Sequence, residues 1–157
     1  MNDIEYMRRV RAMEGRLFRV AQSMLWREAD SVDAVQEAVF RGWLKKGRLA
    51  DAERLEPWLV RILVNQCRDM LRRRKHDPDA LLTEIGAEDR LCEDLQLRLA
   101  LKQLPEKYRL PLLLHHMEGY SVAEVADMLR ISKRLATSRL HQARKALRGL
   151  LDGGETR

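Results

Sequence analysis

Apolar side chains recur along this chain at intervals of three and four residues, and that spacing predicts an all-α fold. Leu17, Val20, Ala21, Met24 and Leu25 give a packing face to a first helix over about residues 3–26, with Arg8, Arg9, Arg11, Arg16 and Arg19 covering the rest. Val32, Val35, Val39 and Phe40 predict a second helix that starts near Ser31, is capped by Asp30 or Ser31, and runs to Trp43 or Lys45. Residues 46–56 carry Gly47 and mixed charge and read as a loop. Pro57 suits the first turn of a third helix, whose buried face is Leu59, Ile62, Leu63, Cys67, Met70 and Leu71 and whose end is Arg72-Arg73-Arg74-Lys75.

After an interruption over residues 76–94, Leu95, Leu99, Leu101 and Leu104 predict a helix that closes at Leu104-Pro105. Pro105 opens the next, with Tyr108, Leu110, Leu112, Leu113 and Leu114 as apolar surface, and Gly119 ends it. Pro111 inside that helix should kink or restart it. Ser121 and Glu124 then form a capping box ahead of Val122, Val125, Ala126 and Leu129. Arg130, Ile131 and Ser132 fit a short turn, with Ser132 the N-cap of a final helix. There Ala136, Leu140, Ala143 and Leu147 fall on one stripe, and Arg134, Ser138, His141 and Lys145 gather opposite. Two short helices joined by a tight turn make a helix-turn-helix.

Charge sharpens that reading. Arg130, Lys133, Arg134, Arg139, Arg144, Lys145 and Arg148 occupy this segment with no Asp or Glu among them. A solvated basic face would explain the charge alone; the capped partner helix, turn and stripe together point to DNA, where neutralised phosphates release counterions. The overall charge of +6 is unevenly spread. Residues 1–75 hold 17 basic and 11 acidic side chains, residues 76–94 hold 1 and 7, and residues 95–157 hold 12 and 6. Two basic modules joined by an acidic linker, with domains at 1–75 and 95–157, follow from that division. The terminal Arg72-to-Lys75 quartet has a structural reading, cations at a helix C-terminus, but four in a row favour phosphate contact. Trp58 reads either as core, the safer choice, or as a platform on which an unpaired base stacks.

Other chemistries find little support. The chain has no Gly-rich phosphate loop, HExxH or nucleophile elbow, so an enzyme is not expected, and neither is a cofactor. His115 and His116 are neighbours and point about 100° apart on a helix, which does not suit one metal ion. Cys67 and Cys92 lack ligand spacing and read as a buried and an incidental thiol rather than a redox pair. No apolar run approaches membrane-spanning length and no signal core follows the N-terminus, so no membrane insertion and a cytoplasmic location are expected.

With these residues in view, the sequence resembles the extracytoplasmic-function sigma factors, bacterial initiation factors that retain the second and fourth conserved sigma regions. The likeness covers roughly residues 4–75 and 95–151. In the first module it rests on Asp33-Ala34-Val35-Gln36-Glu37-Ala38, on Pro57-Trp58-Leu59-Val60-Arg61-Ile62, and on Asn65, Asp69 and Arg72-Arg73. In the second it rests on Leu104-Pro105-Glu106-Lys107-Tyr108-Arg109, Glu118-Gly119-Tyr120-Ser121, Glu124-Val125-Ala126, Ser138-Arg139-Leu140 and Ala143-Arg144.

The resemblance implies a promoter-specificity subunit whose partners are core RNA polymerase, promoter DNA and an anti-sigma factor. Asp33, Gln36, Glu37 and Phe40 would dock polymerase. Lys46, Arg48, Trp58, Arg61, Asn65, Arg72 and Arg73 would contact the melted minus-ten element, with the loop over residues 46–56 pocketing a flipped base. The final helix would enter the major groove of the minus-thirty-five element, and the acidic linker would thread the RNA-exit path. Arg134, Thr137, Ser138, His141 and Gln142 are candidates to read bases there, and Lys133, Arg139, Arg144 and Lys145 to hold phosphates.

Some positions depart from the family. Arg134 stands where a Gly is usual, Thr137 replaces a basic residue before the Ser-Arg pair, and Gln142 stands where Arg is common. The family's promoter sequence therefore does not transfer. Two rival readings remain: a sigma-like decoy that binds an anti-sigma protein without loading polymerase, and a lone helix-turn-helix repressor. The latter would need a dimer seam, and no heptad supplies one.

Overall fold

The structure, a computed structural model, describes residues 1–75 and 94–155. These separate into two compact units, one on each side of the undescribed stretch. Residues 76–93 of the expected acidic linker, Cys92 among them, lie outside the described residues; Asp94, its last, accepts from the Leu97 amide at 3.1 Å.

The first unit is three helices, α1 (Asp3–Leu25), α2 (Glu28–Lys45) and α3 (Leu55–Lys75), each packed on the other two. Asn2 caps α1 by accepting from the Glu5 amide at 2.8 Å. Its buried stripe runs Tyr6, Val10, Met13, Leu17, Val20 and Met24, so it extends well N-terminal to the face expected from Leu17 onward. Trp26 then turns the chain in the left-handed region at φ 60°, and α2 starts three residues earlier than expected.

Neither expected cap serves α2. Arg27 precedes the helix without a side-chain cap; Asp30 receives Arg74 at 2.6 Å; Ser31 is buried, its hydroxyl 2.8 Å from Gln22 Oε1 and 2.7 Å from the Arg27 carbonyl. The expected packing face is also corrected. Ser31, Ala34, Ala38 and Gly42 are buried, while Val32 and Phe40 are exposed. Small side chains let α2 approach its neighbours closely, and the core takes its volume from α1 and α3.

Between α2 and α3, residues expected as loop form two single 3₁₀ turns, Lys46–Arg48 and Ala52–Arg54. In α3, Leu59, Leu63 and Cys67 are buried as expected, joined by Leu55, Pro57, Val60 and Val64. Ile62, Met70 and Leu71 are only half-buried.

The second unit is α4 (Leu95–Gln103), α5 (Glu106–Leu112), α6 (Val122–Leu129) and α7 (Lys133–Glu155), with α7 packed against the other three. Leu101 and Leu104 enter its core, but Leu95 and Leu99 are exposed. Arg109 is buried and donates to the carbonyls of Leu101, Lys102 and Leu104, at 3.4, 3.5 and 2.7 Å, closing the end of α4 with a cation. The break expected at Pro111 takes the form of a change of winding. The helix passes through the buried proline, which supplies no N–H, and widens into a π turn over Leu113–Met117, where the Glu118 amide donates to the Leu113 carbonyl at 3.0 Å.

The Ser121–Glu124 capping box is present in both directions, at 3.0 and 3.1 Å. α6 ends at Arg130 in the left-handed conformation, φ 55°, and the Ile131 amide returns to the Ala126 carbonyl at 3.0 Å. Ser132 caps α7 by accepting from Leu135 at 3.0 Å.

Candidate nucleic-acid interface

α7 seats itself through Ala136, Leu140 and Ala143, all buried, with Leu147 half-buried. At 100° per residue, Arg134, Ser138, His141 and Lys145 then fall within an arc of about 60° on the far side, and all four are exposed, as is Gln142. That is the geometry of a helix with one side anchored and the other presented. Its flanks carry the remaining candidates. Lys133 and Thr137 are exposed, and Thr137 Oγ1 donates to the Lys133 carbonyl at 3.0 Å, so its proton is committed within the helix. Arg139 is half-buried on the other flank.

Arg144, a phosphate candidate, is held from within the chain: its guanidinium donates to His116 Nε2 at 2.9 Å. This requires a neutral His116 with its proton on Nδ1. Desolvation, then the adjoining His115, then Arg144 itself keep His116 below the usual histidine range. His115 in turn donates from Nδ1 to the Tyr120 carbonyl at 2.8 Å. Both histidines therefore have structural work, and among the described residues no group of three His, Cys, Asp or Glu is arranged to hold a metal ion.

In the first unit, Trp58, Arg61, Asn65 and Arg72 share one strip of α3, by the same 100° rule. Asn65 and Arg72 are exposed, and Trp58 and Arg61 half-buried. A Cβ on Gly42 would lie 3.5 Å from Trp58 Cζ3, so one edge of the indole leans on α2. The terminal quartet divides. Arg72 pairs with Asp69 within the helix, and Arg73 is exposed. Arg74 turns inward, donating to the Leu25 carbonyl at 3.2 Å and to Asp30 at 2.6 Å. In the loop, Arg48 is exposed, but Lys46 is tied to Asp3 at 2.9 Å and lies 5.0 Å from the Trp43 ring centre.

On α2 the polymerase candidates Asp33, Gln36, Glu37 and Phe40 lie together on the outer side. Glu37 pairs with Arg41 at 3.0 Å, and Phe40, 53% exposed, stacks near Trp43 with ring centres 6.2 Å apart. Of the four, Gln36 and Phe40 line an apolar hollow together with Met7, Val10, Val35, Val39 and Trp43. Met7 and Trp43 were not singled out from the sequence. The signal was there, as helix 2 has more large apolar residues than one buried stripe needs.

Comparison with known proteins finds two sigma regions in succession along the chain. The family described as Sigma-70 region 2 matches residues 9–76, and that described as Sigma-70, region 4 matches residues 94–147. The ECF RNA polymerase sigma factor SigM of Mycobacterium tuberculosis is 33% identical over 139 residues, covering 86% of this chain and 71% of that protein. SigW of Bacillus subtilis, also an ECF sigma factor, is 27% identical over 152 residues, covering 85% and 81%. Among solved structures, the sigma factor RpoE of Bartonella quintana, in complex with the anti-sigma factor NepR, superposes with a TM-score of 0.80 at 22% identity, over 94% of this chain and 97% of that one. CnrH, in complex with the cytosolic domain of CnrY, gives 0.75 at 27% identity, over 97% and 90%. The residues that drew the resemblance in the sequence stand where two sigma regions match in succession, and the chain belongs to the extracytoplasmic-function RNA polymerase sigma factors.

Proposed function

We propose that this protein binds core RNA polymerase and directs it to promoters by reading a minus-ten and a minus-thirty-five element with separate units. The observation that carries this is the presented side of α7, where Arg134, Ser138, His141 and Lys145 stand exposed, opposite a buried Ala136-Leu140-Ala143 seat, with no carboxylate between Arg130 and Arg148. Residues 1–75 act as region 2, residues 95–157 as region 4, and residues 76–94 as the linker between them. On α2, Asp33, Gln36, Glu37 and Phe40 meet polymerase. Lys46, Arg48, Trp58, Arg61, Asn65, Arg72 and Arg73 serve the melted minus-ten strand. On α7, Arg134, Thr137, Ser138, His141 and Gln142 read bases while Lys133, Arg139, Arg144 and Lys145 hold phosphates.

The protein carries no catalytic group of its own in this scheme; RNA synthesis belongs to the polymerase. It works in the cytoplasm, and no helix among the described residues is long and apolar enough to cross a membrane. An anti-sigma factor is a further partner, an inference supported by the likeness in fold to the sigma factor RpoE, which was solved in complex with the anti-sigma factor NepR.

Adding the purified chain to bacterial core polymerase and mapping transcripts across a genome tests the proposal. Initiation from promoters that share two sequence blocks is the expected result. No initiation, together with tight binding to an anti-sigma protein, would instead establish the decoy reading.

A further inference from the structure

The N-terminal half of α1 grips both ends of the loop over residues 46–54, and the core does not require it to. At the entry, Asp3 Oδ1 accepts from Trp43 Nε1 at 3.0 Å and pairs with Lys46 Nζ at 2.9 Å. At the exit, Arg9 divides its guanidinium: Nη1 donates to the Ala52 carbonyl at 3.1 Å, while Nη2 meets Glu5 at 3.1 Å and stands 3.6 Å from Glu53. Just beyond the loop, Arg16 pairs with Glu56 in the first turn of α3.

Exposed ion pairs add little to stability, and Tyr6, Leu17, Leu25, Leu59 and Leu63 already fill the centre of this unit. Contacts to both ends of one loop, including one to its backbone carbonyl, do something else: they fix where that loop leaves and rejoins the helices. Between those ends, Gly47 has open space around it and Arg48, Ala50 and Asp51 are exposed. A pocket held in one shape penalises each base that does not fit it, whereas a loop free to rearrange adapts to the wrong bases as well and narrows the difference between them.

We infer that Asp3 and Arg9 are positioning residues for minus-ten recognition, holding residues 46–54 in the conformation that receives the unpaired base. This rests on the reading of that loop given above as a minus-ten contact. Neither residue touches DNA. Each acts through the loop it holds, Asp3 through Lys46 and Trp43, Arg9 through Ala52 and Glu53.

The test uses holoenzyme assembled from core polymerase and the full chain, with open-complex formation measured on four promoters that differ only at the base the loop takes up. Asp3→Ala and Arg9→Ala should each reduce the preference for the best base about threefold, the size expected for one exposed ion pair. Thermal stability and affinity for a minus-thirty-five duplex should not move, and Asp3→Glu should restore the preference. An unchanged preference, or one lost only in step with Tm, overturns the inference. Replacing residues 48–51 with a Gly-Ser loop forms the parallel arm. Unchanged ranking of the four promoters there means that the minus-ten reading has failed and this inference with it; a changed ranking there with none in Asp3→Ala or Arg9→Ala removes this inference alone.

Discussion

The Tyr6 hydroxyl donates to the Val39 carbonyl at 2.6 Å, and the Cβ that Gly42 lacks would lie 2.6 Å from that same hydroxyl and 2.8 Å from Leu59 Cδ1. Helices α1, α2 and α3 therefore meet where no side chain can be added. Gly42→Ala should destabilise the protein by about 1–3 kcal/mol through overpacking, read as a lower urea midpoint. Burial also pushes the Tyr6 phenol from 10.0 up to about 12. Above pH 10 the unfolded chain loses this proton while the fold keeps it, so the contribution is present below pH 10 and is lost as pH rises towards 12. Tyr6→Phe should flatten that part of the stability profile between pH 9 and 12, followed by circular dichroism.

Arg73 and Arg74 are adjacent in a basic run, yet Arg73 is exposed while Arg74 turns inward. Arg74, its side chain 16% exposed, joins the end of α3 to Leu25 and Asp30, and Arg74→Ala should cost roughly 1–3 kcal/mol of stability. Arg73→Ala should leave the urea midpoint in place and instead weaken binding to single-stranded promoter DNA, with the salt dependence shallower by about 0.7.

Affinity and preference should separate on α7. Arg139→Ala should weaken binding to all duplexes alike and lower the salt slope by about 1. His141→Ala should change the ranking of minus-thirty-five sequences. Competition binding against a randomised duplex pool checks both, and equal loss across the pool for both would refute the assignment.

The Arg144–His116 contact predicts a pH dependence in the second unit. The His116 pKa is lowered in the fold, so its contribution to stability is present above the ordinary value of 6.5 and is lost as pH falls through the lowered one. An NMR titration should place His116 below 6.5, and Arg144→Ala should raise it, because one of the repelling charges is gone.

Phe40 stands 53% exposed beside the hollow on α2. Phe40→Ala should leave Tm unchanged and reduce affinity for core polymerase by about tenfold, the scale of an interface residue worth somewhat over 1 kcal/mol. Fluorescence anisotropy of labelled chain against core enzyme measures it.

What the sequence made legible was local. The capping box at Ser121 and Glu124, the Ser132 cap and the seat of α7 depend on residues within two turns of one another, and each is present as expected. The side of α2 that packs was misread, because hydrophobicity marks large buried side chains and says nothing when a core is closed by Ser31, Ala34, Ala38 and Gly42. The inward turn of Arg74 and the restraint of Lys46 by Asp3 were hidden for another reason: their partners lie 44 and 43 residues away. No spacing rule reaches that far.

The small-residue seam of α2 also has an evolutionary consequence. On its inward side, drift at Gly42 is resisted, since even a single methyl there would press on the Tyr6 hydroxyl and Leu59 Cδ1. Its outward positions, Val32, Gln36 and Phe40 among them, are exposed and are free to vary with whatever they touch. Selection can thus retune the affinity of this helix for a partner without risking the scaffold beneath it.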